Sequence, residues 1–212
     1  MGKTDRELLM QLEKDYGSYK RRPDKTLKMW EAAVLLPLVK TSKGLSILFE
    51  VRSPDLSWQP GDICFPGGHR DPDDANRAVT AGREMEEELG LASDDYEIFG
   101  PLDYFYGYNG PVIYPFVGFI IHPERIRPGK SEVAEVFTIP VEELLQMEPQ
   151  IGTVTIGTKP DPGFPFQLIP NYSREWRTRE GYKIYFYQYR DKVIWGITGR
   201  VLYNFLHYLK KH

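Results

Sequence analysis

The sequence has little cysteine, no long apolar run and no excess of basic charge, and each shortage excludes a class of function. Cys64 is the single cysteine of the 212 residues, which excludes an intramolecular disulfide and a cysteine-rich zinc site. No apolar run approaches membrane-spanning length, and the first residues lack the apolar core of a secretory signal. The formal net charge of -3 argues against a protein that coats nucleic acid. We therefore expect a cytoplasmic protein with no membrane or nucleic-acid partner.

The overall composition is that of a folded globular protein. Hydrophobic residues make up 41% of the chain and charged residues 27%, close to the average of soluble domains. A chain of 212 residues is long enough for one well-buried core and short for two. We predict a single domain over residues 1–212.

Residue periodicity predicts a mixed α/β domain. At the N-terminus, Thr4 and Glu7 form a capping-box pattern ahead of apolar residues at helical spacing, so residues 1–28 are predicted to be a helical extension ended by the segment 20–23. The segment 152–181 is rich in proline and is predicted to be an irregular insertion. Strands are predicted at 32–39, 45–51, 97–105, 112–121, 135–139 and 183–189, and helices at 74–89, after Pro140 and at 194–209.

Three acidic residues of the helix predicted at 74–89 indicate a metal site. Glu84, Glu87 and Glu88 are spaced i, i+3 and i+4, so that their side chains share one face of the helix. Like charges at this spacing repel each other, and a bound cation would compensate the repulsion. Hard oxygen ligands favour Mg²⁺ or Mn²⁺ over softer metals. A solvated acidic helix face is the alternative for the same spacing.

The segment around these acids resembles the Nudix box, G-x5-E-x7-R-E-U-x-E-E-x-G-U, in which U is aliphatic. It begins at the glycine pair Gly67 and Gly68, and it departs from the pattern twice: Asp74 stands in place of the first Glu, and eight residues rather than seven separate it from the Arg. The second half matches at every specified position: Arg83, Glu84, Met85, Glu87, Glu88, Gly90 and Leu91.

This resemblance implies a fold, a reaction and a cofactor. The implied fold is a Nudix-type α/β/α sandwich with a mixed sheet, an N-terminal helix and a C-terminal helix. The implied reaction is Mg²⁺-dependent (or Mn²⁺-dependent) hydrolysis of the pyrophosphate bond in a small-molecule nucleoside diphosphate derivative. The implied metal ligands are Glu84, Glu87 and Glu88, with Arg83 positioning the carboxylates. Asp74, Asp71 or Asp73 alternatively caps the helix.

The upstream segment is similar to the coenzyme A diphosphatase subfamily, whose pattern is L-L-T-x-R-S-x-x-L-x-x-H-x-G-x-x-x-F-P-G-G. The matching positions here are Leu48, Arg52, Ser53, Leu56, Gly61 and residues 65–68. Phe49, Glu50 and Gln59 depart from it. The leading hypothesis is therefore cleavage of CoA or acyl-CoA to a 4′-phosphopantetheine species and adenosine 3′,5′-bisphosphate. Hydrolysis of ADP-ribose or NADH is the second hypothesis, and a non-catalytic Nudix-fold binding module is the third.

The proton acceptor for such a hydrolysis has several candidates. Nudix enzymes often place the base on a loop ahead of a late strand, which makes Glu132 the first choice and Glu135 the second. Glu87 or Glu88 would alternatively serve as both metal ligand and base.

The substrate phosphates need cations and close backbone approach. Arg52 lies near the end of a predicted strand, where a guanidinium would grip a phosphate, although a surface ion pair fits it as well. His69 and Arg70 follow the glycines directly and would also reach a phosphate, although they fit equally well as solvated loop residues. The predicted substrate-binding residues are Arg52, Gly67, Gly68, His69 and Arg70. A monomer and a homodimer both fit the sequence.

Overall fold

A computed structural model describes residues 5–17, 30–108, 110–178 and 181–211 of the chain. The helices are α1 (Asp5–Gly17), α2 (Arg77–Leu89), α3 (Val141–Gln146) and α4 (Gly196–Lys211). The strands are β1 (Glu31–Thr41), β2 (Gly44–Arg52), β3 (Ile63–Cys64), β4 (Gly67–His69), β5 (Tyr96–Pro101), β6 (Phe105–Tyr106), β7 (Val112–Ile120), β8 (Val133–Pro140), β9 (Gln150–Val154), β10 (Gly157–Thr158), β11 (Arg177–Thr178), β12 (Tyr182–Tyr189) and β13 (Lys192–Ile194).

The main sheet is mixed, and the predicted α/β fold is confirmed. Its central order is β3-β2-β1-β7-β5, with β4 paired to β1, β6 to β7 and β8 to β2. β1 runs parallel to β7, whereas the other pairs in this sheet are antiparallel. A smaller antiparallel sheet, β13-β12-β9, packs on α4, where the rings of Tyr185 and Tyr203 stack at 3.9 Å.

Side-chain alternation along β1 builds two apolar layers, one on each face of the sheet. Successive residues of a strand point to opposite faces. The layer under α2 contains Ala33, Leu35, Val39 and Leu48 with Ala81, Met85 and Leu89 of the helix. The opposite layer contains Leu36, Leu38, Ile47 and Phe49 with Val201, Leu202, Phe205 and Leu206 of α4. The sheet therefore lies between two helices, as expected for an α/β/α sandwich.

Helix α2 starts three residues later than predicted, and its cap is Asn76 instead of Asp74, Asp71 or Asp73. The Asn76 side-chain oxygen accepts hydrogen bonds from the backbone amides of Ala78 at 2.9 Å and Val79 at 3.1 Å. Asp74 cannot cap the helix because its carboxylate is buried against other partners, described below. At the other end Gly90 adopts φ 65° in the left-handed region and ends the helix, as predicted.

The remaining predicted strands are present, but the one at 97–105 is divided into β5 and β6. The segment 152–181 is not wholly irregular, because it begins within β9, which pairs with β12, and it contains the short β10–β11 ladder. Helix α1 is present with exposed apolar side chains such as Leu9 and Met10. Thr4 and the segment 20–23, predicted to start and end this helix, lie outside the described residues. Within the described ranges, every helix is too short or too polar to cross a bilayer.

Candidate functional site

The segment that contains Gly67 and Gly68, here called the glycine loop, leads into β4 and lies directly against the acidic face of α2. Gly67 and Gly68 pair with Val34 and Ala33 of β1. The Gly67 amide donates a hydrogen bond to Oε2 of Glu88 at 2.9 Å. A Cβ at position 68 would lie 2.5 Å from the carboxylate carbon of Glu84, so only glycine leaves room for that carboxylate. The structure thus brings together both predicted glycines and two of the three predicted metal ligands.

Arg83 holds the acidic residues of α2 in place. Its Nη2 donates to Oε1 of Glu84 at 2.8 Å and to the carbonyl of His69 at 3.0 Å, and its Nη1 donates to Oε2 of Glu87 at 3.0 Å. Such charge-assisted bonds fix side-chain orientation. Arg83 therefore links Glu84 and Glu87 to the backbone of β4 at His69.

Asp74 fixes the orientation of Arg83. Its carboxylate accepts hydrogen bonds from Nε of Arg83 at 3.4 Å and from Oγ1 of Thr80 at 2.8 Å. Burial alone would raise the pKa of Asp74, but the hydrogen bonds from Arg83, Thr80 and the Asp71 amide outweigh it and leave that pKa below its ordinary value. The carboxylate that replaces the first Glu of the Nudix pattern is thus an ionised partner of Arg83.

The carboxylates of Glu84 and Glu88 face the glycine loop, where they are largely buried and repel each other. Burial raises the pKa of Glu88 to about 8; the Gly67 amide lowers it, and the charges of Glu84 and Glu132 raise it. Burial also raises the pKa of Glu84 above its ordinary value, against the opposing effect of Arg83. The Glu87 side chain lies at the edge of this group and is 57% exposed. A site that disfavours its own charged form in this way is prepared to receive positive charge.

The two candidate bases lie in different surroundings. The loop before β8 closes on the C-terminal end of α2, where the amides of Arg127 and Gly129 donate to the carbonyls of Leu89 at 2.7 Å and Glu88 at 2.9 Å. This closure brings the exposed side chain of Glu132 close enough to act electrostatically on Glu88. Glu135 instead accepts a hydrogen bond from Nζ of Lys192 at 2.9 Å.

Strand alternation explains the separation of Glu132 from Glu135. Glu135 shares a strand face with Phe137, which packs in the α4 layer, whereas Val136 packs in the α2 layer. Glu135 therefore points to the side of the sheet opposite α2. Of the two, only Glu132 lies near the acidic residues of α2.

Arg52 and Glu50 occupy the end of β2 beside the same site. Arg52 donates from Nε to the carbonyl of Trp58 at 3.3 Å, and its charge acts on the Glu88 carboxylate. Glu50 is fully buried, and burial followed by the charge of Glu88 raises its pKa well above the ordinary value. In the sequence, Glu50 is a departure from the subfamily pattern with no predicted place in the site. Its position two residues after the apolar Leu48, on the same face of the strand, was a usable signal.

His69 and Arg70 line a neighbouring cavity of about 310 Å³. The His69 ring stacks on Trp30 with ring centroids 3.9 Å apart. Arg70 lies 3.5 Å from the Glu31 carboxylate and donates to the Asp74 carbonyl at 3.0 Å. Both side chains have protein partners in this state, and their roles toward a substrate stay predictions.

This fold, with a glycine pair packed against an acidic helix, matches a known family. The model of the NUDIX domain matches residues 29–155, more than half of the chain. The chain belongs to the Nudix family. The resemblance read from the glycine loop and the acidic helix is therefore confirmed.

Relatives of this Nudix chain include two named coenzyme A diphosphatases. It is 40% identical over 119 residues to peroxisomal coenzyme A diphosphatase NUDT7 of Mus musculus, covering 56% of this chain and 50% of that protein. It is 38% identical over 122 residues to mitochondrial coenzyme A diphosphatase NUDT8 of Homo sapiens, covering 56% and 52%. The matches thus span about half the length of these relatives.

A solved structure supports the same fold. A MutT/nudix family protein from Enterococcus faecalis covers 98% of this chain and 70% of its own chain, with a TM-score of 0.52 and 13% identity. At this identity the similarity shows the Nudix fold alone.

Nudix hydrolases generally use divalent metal ions, and the donor set of this site fits such an ion. Across the described ranges, no three acidic, histidine or cysteine side chains already surround one point closely enough to hold a metal, and Arg83 instead bonds to both Glu84 and Glu87. The donors are nonetheless hard carboxylate oxygens that repel each other. In addition, Oε1 of the buried Glu50 has no hydrogen-bond partner among the described residues.

The stability of the metal-free protein is expected to fall as pH rises from about 4.5 toward about 8. The pKa of folded Glu88 is about 8, against an ordinary value of 4.5 for the unfolded chain. Between these values the folded state binds more protons than the unfolded state, so the free energy of unfolding decreases with pH. Urea unfolding in the presence of a chelator, at a series of pH values, measures this slope.

Glu88→Gln is the control for this measurement, since it removes the titrating group with little change of shape. The variant should lose less stability over the same pH range. Parallel pH profiles for wild type and variant would show that Glu88 titrates normally in the folded protein.

Proposed function

We propose that this chain is a metal-dependent Nudix hydrolase that cleaves the pyrophosphate bond of CoA or acyl-CoA. The products would be 4′-phosphopantetheine, or its acyl form, and adenosine 3′,5′-bisphosphate. The observation that carries the proposal is the packing of Glu84 and Glu88 against Gly68 and Gly67, with Arg83 bonded to Glu84 and Glu87. The relatives NUDT7 and NUDT8, both named coenzyme A diphosphatases, support the substrate class.

The mechanism assigns one task to each residue. Glu84, Glu87 and Glu88 would hold Mg²⁺ or Mn²⁺, which when bound neutralises phosphate oxygens and lowers the pKa of a water molecule. Arg83 keeps Glu84 and Glu87 oriented. Glu132 accepts the proton of the attacking water, because its exposed carboxylate lies beside the ligands.

The glycine loop and nearby arginines receive the substrate. Gly67 and Gly68 let the phosphate chain approach the backbone closely. Arg52 is proposed as the cation that binds a phosphate oxygen, because it lies beside Glu88. Arg70 and His69 border the adjacent cavity and are proposed to contact the more distant part of the substrate.

A second candidate, hydrolysis of ADP-ribose or NADH, is favoured by one observation. Glu50 stands where the coenzyme A diphosphatase pattern has Thr, and in the structure it lies buried beside the site. A non-catalytic binding module is less well supported, since Arg83 and all three acids of the helix are present and Arg83 bonds to two of them.

We also propose a location and a partner for this chain. The proposed location is the cytoplasm. The words "peroxisomal" and "mitochondrial" belong to the names of the two relatives and describe only those proteins. The proposed partner is the small-molecule substrate, without nucleic acid or membrane.

A substrate panel tests the proposed function. CoA, dephospho-CoA, ADP-ribose and NADH are compared by kcat/KM at matched low concentrations with Mg²⁺ and then Mn²⁺, and products are identified by mass spectrometry. CoA carries a 3′-phosphate that dephospho-CoA lacks. One charge-assisted contact to it contributes roughly 1.5 to 3 kcal/mol, so CoA should be cleaved about ten- to a hundredfold faster.

The arginines provide the matched controls for this panel. Either Arg52→Ala or Arg70→Ala should erase the advantage of CoA over dephospho-CoA, and the other variant should retain it. Equal or faster hydrolysis of ADP-ribose by the wild type would exclude CoA as the preferred substrate and leave the pyrophosphatase activity in place.

A further inference from the structure

Glu50 is a buried carboxylate with an unsatisfied oxygen. None of its surface is exposed, and Oε1 has no hydrogen-bond partner among the described residues. Its Oε2 accepts a hydrogen bond from Sγ of Cys64 at 3.8 Å, and a thiol is a weak donor. Burying a carboxylate without full compensation is costly, and an apolar residue of similar size would avoid this cost.

The strand geometry directs Glu50 toward α2. On β2, Leu48 packs in the α2 layer and Phe49 in the opposite layer. Because side chains alternate, Glu50 shares the face of Leu48. Its cross-strand partner on β8 is Val136, which also packs in the α2 layer.

This direction leads to the acidic residues already described. The negative charges of both Glu88 and Glu132 act on the Glu50 carboxylate, and Arg52 supplies a nearby positive charge. Glu50 thus lies underneath the carboxylates at the end of α2. Among the described side chains of this group, only Glu50 is completely buried and also has a carboxylate oxygen without a hydrogen-bond partner.

We propose that Glu50 is a further carboxylate of the metal site, with Oε1 directed to the divalent cation or to a water molecule bound to it. The inference rests on the proposed metal-dependent hydrolysis and extends its ligand set beyond α2. A cation would satisfy the free oxygen and relieve repulsion among Glu50, Glu88 and Glu132. Additional ligand charge also increases affinity for a hard cation.

The test is the binding of Mn²⁺ and Mg²⁺ in the absence of substrate, by calorimetry and by the metal-induced rise in melting temperature. Glu50→Gln keeps the size of the side chain, and Glu50→Thr places a β-branched residue suited to a strand. Both variants should be more stable than wild type in chelator. Their metal Kd should be weaker by about tenfold or more, with a correspondingly smaller metal-induced stabilisation.

Asp95→Asn is the matched control. Asp95 is also buried, at 3% exposure, but it accepts hydrogen bonds from Arg125 at 2.6 Å and from the Ala92 amide at 2.9 Å. Its removal should lower stability in chelator and leave the metal Kd unchanged. The opposite signs of the two stability changes separate an unsatisfied carboxylate from a satisfied one.

The outcomes distinguish this inference from the proposed function. If wild type binds metal and hydrolyses CoA but a folded Glu50→Gln or Glu50→Thr binds metal within twofold of wild type, Glu50 is not a ligand and the proposed function stands. If wild type binds neither Mn²⁺ nor Mg²⁺, both proposals fail.

Discussion

Glu132→Gln is expected to lower kcat by about 10²- to 10⁴-fold, the range typical of the loss of a general base. Glutamine keeps the size of the side chain but cannot accept the proton of the attacking water. Because the base acts only in the transition state, KM and the metal Kd should change little. Steady-state kinetics with metal titration measure all three quantities.

Glu135→Gln is the control, since it changes the same residue type three positions later on the same chain segment. Its carboxylate bonds to Lys192 at 2.9 Å on the face of the sheet away from α2. That variant should retain kcat and lose at most the small stability of an exposed ion pair. A silent Glu132→Gln together with a damaging Glu135→Gln would reverse the assignment.

Gly68→Ala is expected to preserve the fold and lower kcat/KM by about a hundredfold. The new methyl group would lie 2.5 Å from the carboxylate of Glu84, the flexible end of a side chain, which can move aside. Moving a proposed ligand by an ångström or so is enough for such a loss. The metal Kd should weaken together with kcat/KM.

Gly67→Ala, one residue earlier, should fail in a different way. Its Cβ would lie 2.5 Å from the carbonyl oxygen of Ala33 and 2.7 Å from Cα of Val34, both in the backbone of β1. The central strand cannot move aside cheaply, so we expect a loss of roughly 1 to 3 kcal/mol or more in the free energy of unfolding.

Gly163→Ala is the control for both glycine variants, because a Cβ there meets nothing within 4 Å. Urea unfolding and kcat/KM of the three variants separate the effects. Wild-type activity in Gly68→Ala, or wild-type stability in Gly67→Ala, would contradict the proposed packing of the loop.

The sequence by itself determined those features that depend on residues close together in the chain. The spacing of Glu84 and Glu88 places them on one face of any helix, and Gly90 can end that helix with φ 65°. The same local patterns located β1 and β2, but not the short strands β3 and β4 of the glycine-rich segment. The family followed from these segments because the motif lies within some 25 consecutive residues, from Gly67 to Leu91.

Asp74 shows where local patterns stopped being sufficient. An aspartate just before a helix is a good cap by propensity, and the absence of proline from 74–89 predicts a helix that already includes Asp74. In the folded protein its carboxylate is taken by Thr80 and Arg83, and Asn76 caps the helix. The competition between these partners depends on how α2 packs on the sheet.

Only the tertiary structure decided the surroundings of Glu132, Glu135 and Glu50. Neighbouring side chains of a strand point to opposite faces of the sheet. The sequence pattern does not tell which face packs against α2 and which packs against α4. That choice is made when distant segments pack: the loop before β8 closes on α2 through Arg127 and Gly129. The same packing buries Glu50 beneath Glu88, although 38 positions separate them in the sequence.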